Sequence, residues 1–331
     1  MGHLSRMVAF GQLCRLYGFE IHYIISLKNE YLLKILYGES FIVHNYSNQF
    51  ECNSANDRKY LLNIASEINP NWIVFDGKQF DIDYEKIIKN NGYRLMRVVD
   101  YSTTHTYADL LFDQNYGAEN NKYSVEPYTV VLAGIKHMLL RKEFLNFNMD
   151  QIFQSDSKSN RLLITLGGGS KITDAVNYKI IKAISKIKEI DYYATLVCGP
   201  FSQKANYLKE LAVGSSSNIK VKKQINDIAL NMSKSTMSIL SGGSVMWEAL
   251  YMRLPFMGIS LTTKQVPYLE FLSKKGLCLN LGWYGNLNVE KLTDNISKFM
   301  ENSSMGENII RHMKTINISQ NNKLLSILNN K

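Results

Sequence analysis

Short apolar runs alternate with amphipathic stretches along the first half of the chain. Apolar residues at helical spacing predict helices, and uninterrupted apolar runs of four to six residues predict buried strands. The elements predicted for this half are helices at 3–17, 30–37, 56–68 and 84–90, and strands at 21–26, 41–44, 72–76, 94–99, 110–112 and 129–133. Such alternation is typical of a parallel sheet covered by helices.

The second half of the chain has a similar alternation. Its predicted strands are 162–166, 194–198, 219–221, 238–240 and one after Pro255, and its predicted helices start at Thr173 and Val245 or span 203–211, 227–232, 289–301 and 307–328. Residues 135–159 between the halves are the least periodic. We therefore expect an α/β protein with two Rossmann-like domains, over residues 1–145 and 161–331, joined by a connection over 146–160 and facing a ligand cleft.

Two glycine turns follow predicted strands of the second half. They are Gly167-Gly168-Gly169-Ser170 and Ser241-Gly242-Gly243-Ser244, each leading into a predicted helix. Backbone amides at such a helix start can bind phosphate. Glu248 lies one helical turn after Ser244, where a carboxylate can accept hydrogen bonds from the two hydroxyls of a ribose. An ordinary strand-to-helix turn followed by a solvated glutamate explains the same pattern.

Composition indicates a globular protein in a reducing compartment. The chain has 331 residues, of which 45% are hydrophobic and 20% charged. No apolar run approaches the roughly 18 residues of a membrane span. Its four cysteines are scattered without metal-ligand spacing, so we expect neither a disulfide framework nor a metal site, and a cytoplasmic location.

The net charge of +9 would suit an anionic partner. Lysines are spread along predicted helices and tails rather than gathered in one motif, which is typical of a solvated basic surface. Basic and aromatic residues do not interleave as in nucleic-acid-binding modules, so no nucleic-acid partner is expected.

Several segments in a fixed order resemble one protein family. The segments are Gly2-His3-Leu4-Ser5-Arg6, Ile73-Val74-Phe75-Asp76, Val99-Asp100, Ala108 to Tyr116, Leu140 to Phe144, Leu166-Gly167-Gly168 and Ser241 to Glu248. Together they resemble the UDP-sugar hydrolases of pseudaminic acid biosynthesis and their spore coat polysaccharide (SpsG-like) relatives. The resemblance covers nearly the whole chain and implies the two-domain GT-B fold of glycosyltransferases.

The chain departs from this family at three places. The family has a strand and a glycine-rich loop before the Gly-His pair, so we expect either residues upstream of Met1 or a first domain that lacks its first strand. Asp76-Gly77-Lys78-Gln79 stands where the hydrolases have Asp-His-Tyr-Gly. Lys264-Gln265 stands where they often have Asn-Gln.

The resemblance implies roles for particular residues. His3 would be the base that activates water, oriented by Asp76, because imidazole exchanges protons near neutral pH. Arg6 would contact phosphate or sugar, and Asn115 an N-acetyl group. The two glycine turns, Glu248 and Gln265 would hold UDP without a metal or cofactor. Helix capping by His3, a surface ion pair of Arg6, turn capping by Asp76 and loop contacts of Asn115 or Gln265 are the structural alternatives.

Three functions remain open from sequence. The first is release of UDP from a UDP-diacetamido-trideoxy-hexose by water, in nonulosonic acid biosynthesis. The second is a GT-B glycosyltransferase of surface polysaccharide biosynthesis, for which the basic charge would favour peripheral membrane association. The third is a noncatalytic nucleotide-sugar-binding protein. The oligomeric state has no sequence signal.

Overall fold

A computed structural model describes residues 2–26, 28–46, 49–100, 104–145, 147, 159–216, 218–318 and 321–330. It divides into two compact units. The N-terminal unit is built from residues 3–142 and from the C-terminal segment that starts at Asn317. The C-terminal unit is built from residues 143–316. The predicted connection at 146–160 lies mostly outside the described residues.

The N-terminal unit alternates helices and short parallel strands. Its elements are α1 (Gly2–Leu16), β1 (His22–Ile25), α2 (Glu30–Gly38), β2 (Ile42–Asn45), α3 (Ala55–Ile68), β3 (Ile73–Asp76), α4 (Ile82–Asn90), β4 (Leu95–Val98), β5 (Leu110–Asp113) and β6 (Val130–Ala133). The short helix α5 (Lys142–Leu145) starts at residue 142 and belongs mostly to the segment 143–316. Helices α2, α3 and α4 are capped by the residues that precede them, Asn29, Ser54 and Asp81, whose side chains each accept a hydrogen bond from the amide three residues on. These caps satisfy donors that a helix start leaves without intrahelical partners.

The strands of this unit form two separate parallel sheets. One pairs β1 with β2, and the other has the order β3-β4-β5-β6. No described strand precedes α1 or pairs with the second edge of β1 or β3. Helix α1 covers both sheets, because Val8 packs in a cluster with β1 while Phe10 and Leu13 pack in a cluster with β4 and β5. A shared helix therefore connects the two sheets through side-chain packing.

The C-terminal unit has one continuous sheet of six parallel strands. Its elements are β7 (Asn160–Thr165), α6 (Lys171–Ile184), β8 (Tyr192–Val197), α7 (Ala205–Ser215), β9 (Ile219–Lys222), α8 (Ile228–Ser233), β10 (Met237–Ser241), α9 (Ser244–Tyr251), β11 (Phe256–Ser260), α10 (Gln265–Lys274), β12 (Leu279–Trp283), α11 (Val289–Glu301) and α12 (Ser303–Met313). The strand order is β12-β11-β10-β7-β8-β9. Every residue of β10 and β11 is buried, as expected for central strands covered on both faces.

Two elements of this unit were absent from the sequence-based prediction. Helix α10 contains Pro267, but only at its third residue, where the first turn needs no intrahelical amide donor. Strand β12 lies at the sheet edge and is only half-buried, so its sequence lacks the apolar run that predicted the central strands.

The predicted helix at 307–328 is wrong. Helix α12 ends at Met313, and a separate helix, α13 (Asn322–Asn329), follows Asn321. Asn321 has a left-handed backbone at φ 57°, and its buried side chain donates to the Met138 carbonyl at 2.8 Å. Leu324, Leu325 and Leu328 are buried in the cluster of Phe10 and Leu13. The predicted second domain therefore does not extend to residue 331, because the last helix completes the core of the N-terminal unit.

Among the described residues, no helix is long and apolar enough to cross a membrane. No group of three or more His, Cys, Asp or Glu side chains in the same ranges is arranged to hold a metal. All four cysteines are free thiols, and Cys52 is exposed whereas the other three are buried.

Candidate functional site

A charged network lies at the carboxyl ends of β3, β4 and β5. Asp76 is the last residue of β3, Asp100 lies two residues beyond β4, and Asn115 two residues beyond β5. His3 and Arg6 lie three residues apart at the start of α1, a spacing that places both on one helix face. Adjacent parallel strands end at the same edge of a sheet, where ligands of α/β proteins usually bind.

Asp76 holds both residues of α1. His3 Nδ1 lies 2.7 Å from Asp76 Oδ1, and Arg6 donates to both carboxylate oxygens at 2.6 and 3.0 Å. Only 4% of the Asp76 side chain and 8% of the Arg6 side chain are exposed, against 59% for His3. Arg6 is thus a buried partner of Asp76 rather than a surface ion pair.

Arg6 also binds the neighbouring strand end. Its Nη1 donates to Asp100 Oδ1 at 2.5 Å. Burial lowers the pKa of Arg6, but hydrogen bonds and charge attraction to Asp76 and Asp100 outweigh it, so the net direction is upward. Burial raises the pKa of Asp100, and the Arg6 cation more than reverses this, so its pKa is lowered. Both groups are therefore charged at neutral pH, and the network fixes the start of α1 over two strand ends.

The contact with Asp76 decides how His3 can act. An ionised carboxylate only accepts hydrogen bonds, so the 2.7 Å contact with Asp76 assigns the proton to His3 Nδ1, and Arg6 Nη2, 3.2 Å from the same nitrogen, then makes no hydrogen bond to it. In the neutral ring, Nε2 then carries the lone pair. Carboxylate–imidazole pairs of this kind orient the ring and stabilise the imidazolium once a proton has been taken up. The exposed ring of His3 is thus arranged to accept a proton.

Asn115 lies beside the network but is already engaged. Its Nδ2 donates to Asp113 Oδ1 at 2.8 Å and to Asp100 Oδ1 at 3.3 Å. An amide nitrogen has two hydrogens, so both are directed at carboxylates. The structure therefore places Asn115 as a support of Asp100.

A cavity of about 530 Å³ adjoins this network within the N-terminal unit. His3, Arg6, Asp76 and Asp100 line one part of it, and Phe80, Glu85, Arg97 and Thr106 line another. Asp100 and Arg97 were given no role from sequence. The position of Asp100 at a strand end was predictable, since it follows a predicted strand just as Asp76 does. No sequence pattern marked Arg97 as a cavity residue, because it lies inside an apolar run.

The two glycine turns lie side by side in the C-terminal unit. Strands β7 and β10 are neighbours, so a Cβ built on Gly167 would lie 4.0 Å from Ser241 Oγ. Gly167 and Gly169 both have φ of +94°. A Cβ on Gly169 would meet the Ser202 amide nitrogen at 2.5 Å, which requires glycine there.

Both turns lead directly into helices. Ser170 caps α6 through a reciprocal pair with Thr173, in which each side chain bonds the other residue's backbone amide. Gly243 precedes Ser244, the first residue of α9. Two helix N-termini with their positive dipole ends therefore start beside each other at the carboxyl edge of the sheet.

Gln265 and Glu248 lie near the second turn. Gln265 starts α10, and its Oε1 accepts from the Leu261 amide at 2.8 Å. Its Nε2 lies 3.8 Å from the position of a Cβ on Gly243. Glu248 lies one turn into α9 and is 6% exposed, so it is not the solvated helix glutamate of the structural alternative.

Comparison with known proteins gives relatives at modest identity. No protein-family model matches the chain. A UDP-2,4-diacetamido-2,4,6-trideoxy-beta-L-altropyranose hydrolase of Campylobacter jejuni is 27% identical over 221 residues, 65% of this chain and 76% of that protein. The spore coat polysaccharide biosynthesis protein SpsG of Bacillus subtilis is 23% identical over 53% of this chain, and an uncharacterised protein of Methanocaldococcus jannaschii is 25% identical over 77%. The chain spans about half the length of these last two, 51% and 52%.

Solved structures resemble the chain over its whole length. MurG of Acinetobacter baumannii superposes with a TM-score of 0.71 at 13% identity, covering 99% of this chain and 96% of that one. The spinosyn rhamnosyltransferase SpnG complexed with thymidine diphosphate gives 0.69 at 12% identity, covering 99% and 97%. These are GT-B glycosyltransferases, so the chain has the GT-B fold.

Proposed function

We propose that this protein hydrolyses a UDP-sugar, releasing UDP from a UDP-diacetamido-trideoxy-hexose as a step towards a surface polysaccharide. The observation that carries the proposal is the pairing of His3 with buried Asp76, which gives an exposed imidazole a defined proton-accepting edge. The relative in Campylobacter jejuni, named as a hydrolase of such a UDP-sugar, supports the substrate class. SpsG, named for spore coat polysaccharide biosynthesis, supports the wider setting.

In the proposed reaction, a water oxygen attacks the anomeric carbon of the sugar. His3 Nε2 takes a proton from that water as the new carbon–oxygen bond forms. The bond between the anomeric carbon and the diphosphate oxygen breaks, and UDP leaves with the bonding electrons. Asp76 stabilises the imidazolium, and Arg6 holds the Asp76 carboxylate in place through two hydrogen bonds. The imidazolium then returns its proton to solvent, so the products are free sugar and UDP.

The C-terminal unit is assigned the nucleotide. In this proposal, the amides of the Gly167 to Ser170 and Ser241 to Ser244 turns stabilise the negative charge that develops on the diphosphate. Glu248 accepts hydrogen bonds from the ribose hydroxyls, and Gln265 supports the second turn from α10. Arg6 and Asn115 then act through Asp76 and Asp100 rather than by direct contact with the sugar.

A glycosyltransferase is the second candidate. The solved structures that match the whole chain include glycosyltransferases, and the same imidazole can deprotonate an acceptor hydroxyl instead of water. A noncatalytic nucleotide-sugar-binding protein is the third, supported by the two separate sheets beneath α1 and by Gly77-Lys78 beside Asp76.

Release of UDP in the absence of any acceptor separates these functions. We expect the purified full chain to release UDP and free sugar from at least one UDP-sugar of a panel, and His3→Gln to lose about 10²- to 10⁴-fold of kcat. His312→Gln, in the C-terminal unit, is the matched control and should keep full activity. Turnover only with an added acceptor would instead identify a transferase, and UDP binding without turnover a binding protein.

The nucleotide assignment has its own test in binding. We expect calorimetry to detect UDP binding, and Glu248→Gln to weaken it about tenfold, the loss of a hydrogen bond to a charged group. The same substitution should leave the affinity for 2′,3′-dideoxy-UDP unchanged. An equal loss for both nucleotides would contradict the role of Glu248 at the ribose.

A further inference from the structure

Two histidines contact each other across the small sheet of the N-terminal unit. His22 lies in β1 opposite Ile42, and His44 lies in β2 opposite Ile24, so the two histidines are diagonal neighbours on one face of the sheet. Their ring planes are 13° apart, and His22 Nδ1 lies 2.9 Å from His44 Nε2. A direct N–H···N hydrogen bond therefore joins β1 to β2 through side chains.

The number of protons on the two rings decides whether this bond can form. Glu20 Oε1 lies 2.8 Å from His22 Nε2, and an ionised carboxylate only accepts, so this nitrogen carries a proton. The bond to His44 needs one more proton, which lies on His44 Nε2 in the neutral pair or on His22 Nδ1 in its imidazolium. When both rings are protonated, two N–H groups point at each other and the bond is lost.

The surroundings of the pair oppose the second proton. Glu20 pairs with His22, whose side chain is only 14% exposed, and Glu67 of α3 acts on His44 through its charge. Burial and the charge of His22 lower the pKa of His44 from 6.5, and Glu67 offsets them only in part. As pH falls below 6.5, the unfolded chain therefore binds more protons than the folded one at this position. The stability that the pair contributes is present above pH 6.5 and is lost as pH falls through the lowered pKa.

The sheet that this pair joins is small. Its two strands have four residues each, and β2 pairs with no other described strand. The amides of Ile42 and Tyr46 donate to carbonyls of the β1 side at 2.9 and 3.0 Å. Two short strands are marginally stable without further contacts, so one bond between side chains is a large part of what holds β2.

The position of β2 also affects α1. Phe41, directly before β2, packs with Val8 of α1 in one buried cluster. Helix α1 carries His3 and Arg6 of the candidate site. Release of β2 therefore removes a packing contact from the helix that bears these residues.

We propose that His22 and His44 form a proton-sensitive clasp, which holds β2 to β1 near neutral pH and releases it when both rings are protonated. The clasp is a conformational device of the N-terminal unit and does not depend on the proposed function.

Hydrogen exchange of the full chain between pH 7 and pH 5, corrected for the intrinsic pH dependence of amide exchange, tests the clasp. In the wild type, protection of the β2 peptide 41–46 should fall about tenfold more than protection of the β3 peptide 72–76. His44→Gln should remove this excess loss, because an amide side chain can donate to a neutral His22 or accept from its protonated ring. His105→Gln, a histidine of the same unit bonded to Glu126, is the matched control and should keep the excess loss.

The reciprocal variant His22→Gln guards against a folding defect in His44→Gln. It should also remove the excess loss, because the new amide can donate to or accept from His44 Nε2. Equal loss of protection in β2 and β3 of the wild type, or an excess loss that persists in a folded glutamine variant, would overturn the proposal. Exchange is measured without substrate, so a failure to release UDP would refute only the hydrolase function.

Discussion

The two units present opposite kinds of chemistry at the carboxyl edges of their sheets. In the N-terminal unit the edge is built from charged side chains, in which Arg6 bonds both Asp76 and Asp100, and the exposed His3 bonds Asp76. In the C-terminal unit the edge is built from backbone, in two glycine turns that each open a helix. A network of charged side chains loses stability when a charge is removed or the pH changes. A glycine turn loses stability when a substitution adds a Cβ. The two edges should therefore fail under different substitutions.

The two units also differ in how continuous their sheets are. Six parallel strands support the turns of the C-terminal unit in one hydrogen-bonded ladder. The N-terminal unit has two shorter sheets, held together through the packing of α1. Arg6 belongs to that helix and is bonded to the ends of two strands. Its ion pairs thus contribute to the attachment of α1 as well as to the site.

The largest effect is expected from removing that attachment. Arg6→Met leaves the carboxylate of Asp76, 4% exposed, without its buried cation, and such losses cost about 3–5 kcal/mol. Urea unfolding, followed by hydrogen exchange in peptides of α1 and β3, should show this loss in the N-terminal unit. Arg15→Met, an exposed arginine of the same helix, should cost less than about 1 kcal/mol. Equal costs for both would mean that the network does not hold α1.

The C-terminal unit should lose stability when one methyl group is added to a glycine turn. Gly169→Ala forces a residue with a Cβ into φ +94° and against the backbone of Ser202 at 2.5 Å, at a cost of about 1–3 kcal/mol. Gly214→Ala is the matched control, because it lies exposed near the end of α7 with nothing within 4 Å of the new methyl. It should be neutral or stabilising by up to about 1 kcal/mol. Thermal unfolding of the two variants gives opposite shifts in Tm if the turn is as constrained as its geometry indicates.

Features of the site that depend on a local sequence pattern were predictable from the sequence. Asp76 follows a buried apolar run, so its place at a strand end was predictable, and the glycine turns were found from strand, glycine and helix signals in order. The pairing of Arg6 with Asp100 was not predictable, because it depends on β3 and β4 being neighbours in the sheet. The place of Arg97 in the cavity wall was not predictable, because it lies inside an apolar run. The packing of α13 on β4 and β5 was not predictable either, because no local pattern indicates it. These features depend on contacts between elements that are distant in sequence, whereas hydrophobic periodicity predicts only local secondary structure.

A smaller effect is expected at Ser170, in the Gly167 to Ser170 turn, where two substitutions distinguish a role in stability from a role in UDP binding. Ser170→Ala removes the side-chain cap of α6 and should cost about 1 kcal/mol, which chemical denaturation measures. Ser170→Asp keeps an oxygen at the cap and adds a negative charge at the helix start, so the free protein should keep its stability. The same charge should weaken UDP binding by repelling a diphosphate. Unchanged UDP affinity in Ser170→Asp would place the diphosphate elsewhere.

The smallest effect near neutral pH is expected from His137, and it tests whether the N-terminal unit is the acid-sensitive one. Burial, with the charges of Lys136 and Lys323, lowers the pKa of His137 from 6.5 to about 4. Between these values the unfolded chain binds more protons than the folded one, so this group reduces stability as pH falls from 6.5 to 4. His137→Gln removes that proton uptake, so the stability difference between wild type and variant should shrink from pH 7 to pH 5 in hydrogen exchange of β5 peptides. His312→Gln, in the C-terminal unit, is the matched control for the change in chemistry. A difference independent of pH would mean that His137 does not contribute to the acid response of the N-terminal unit.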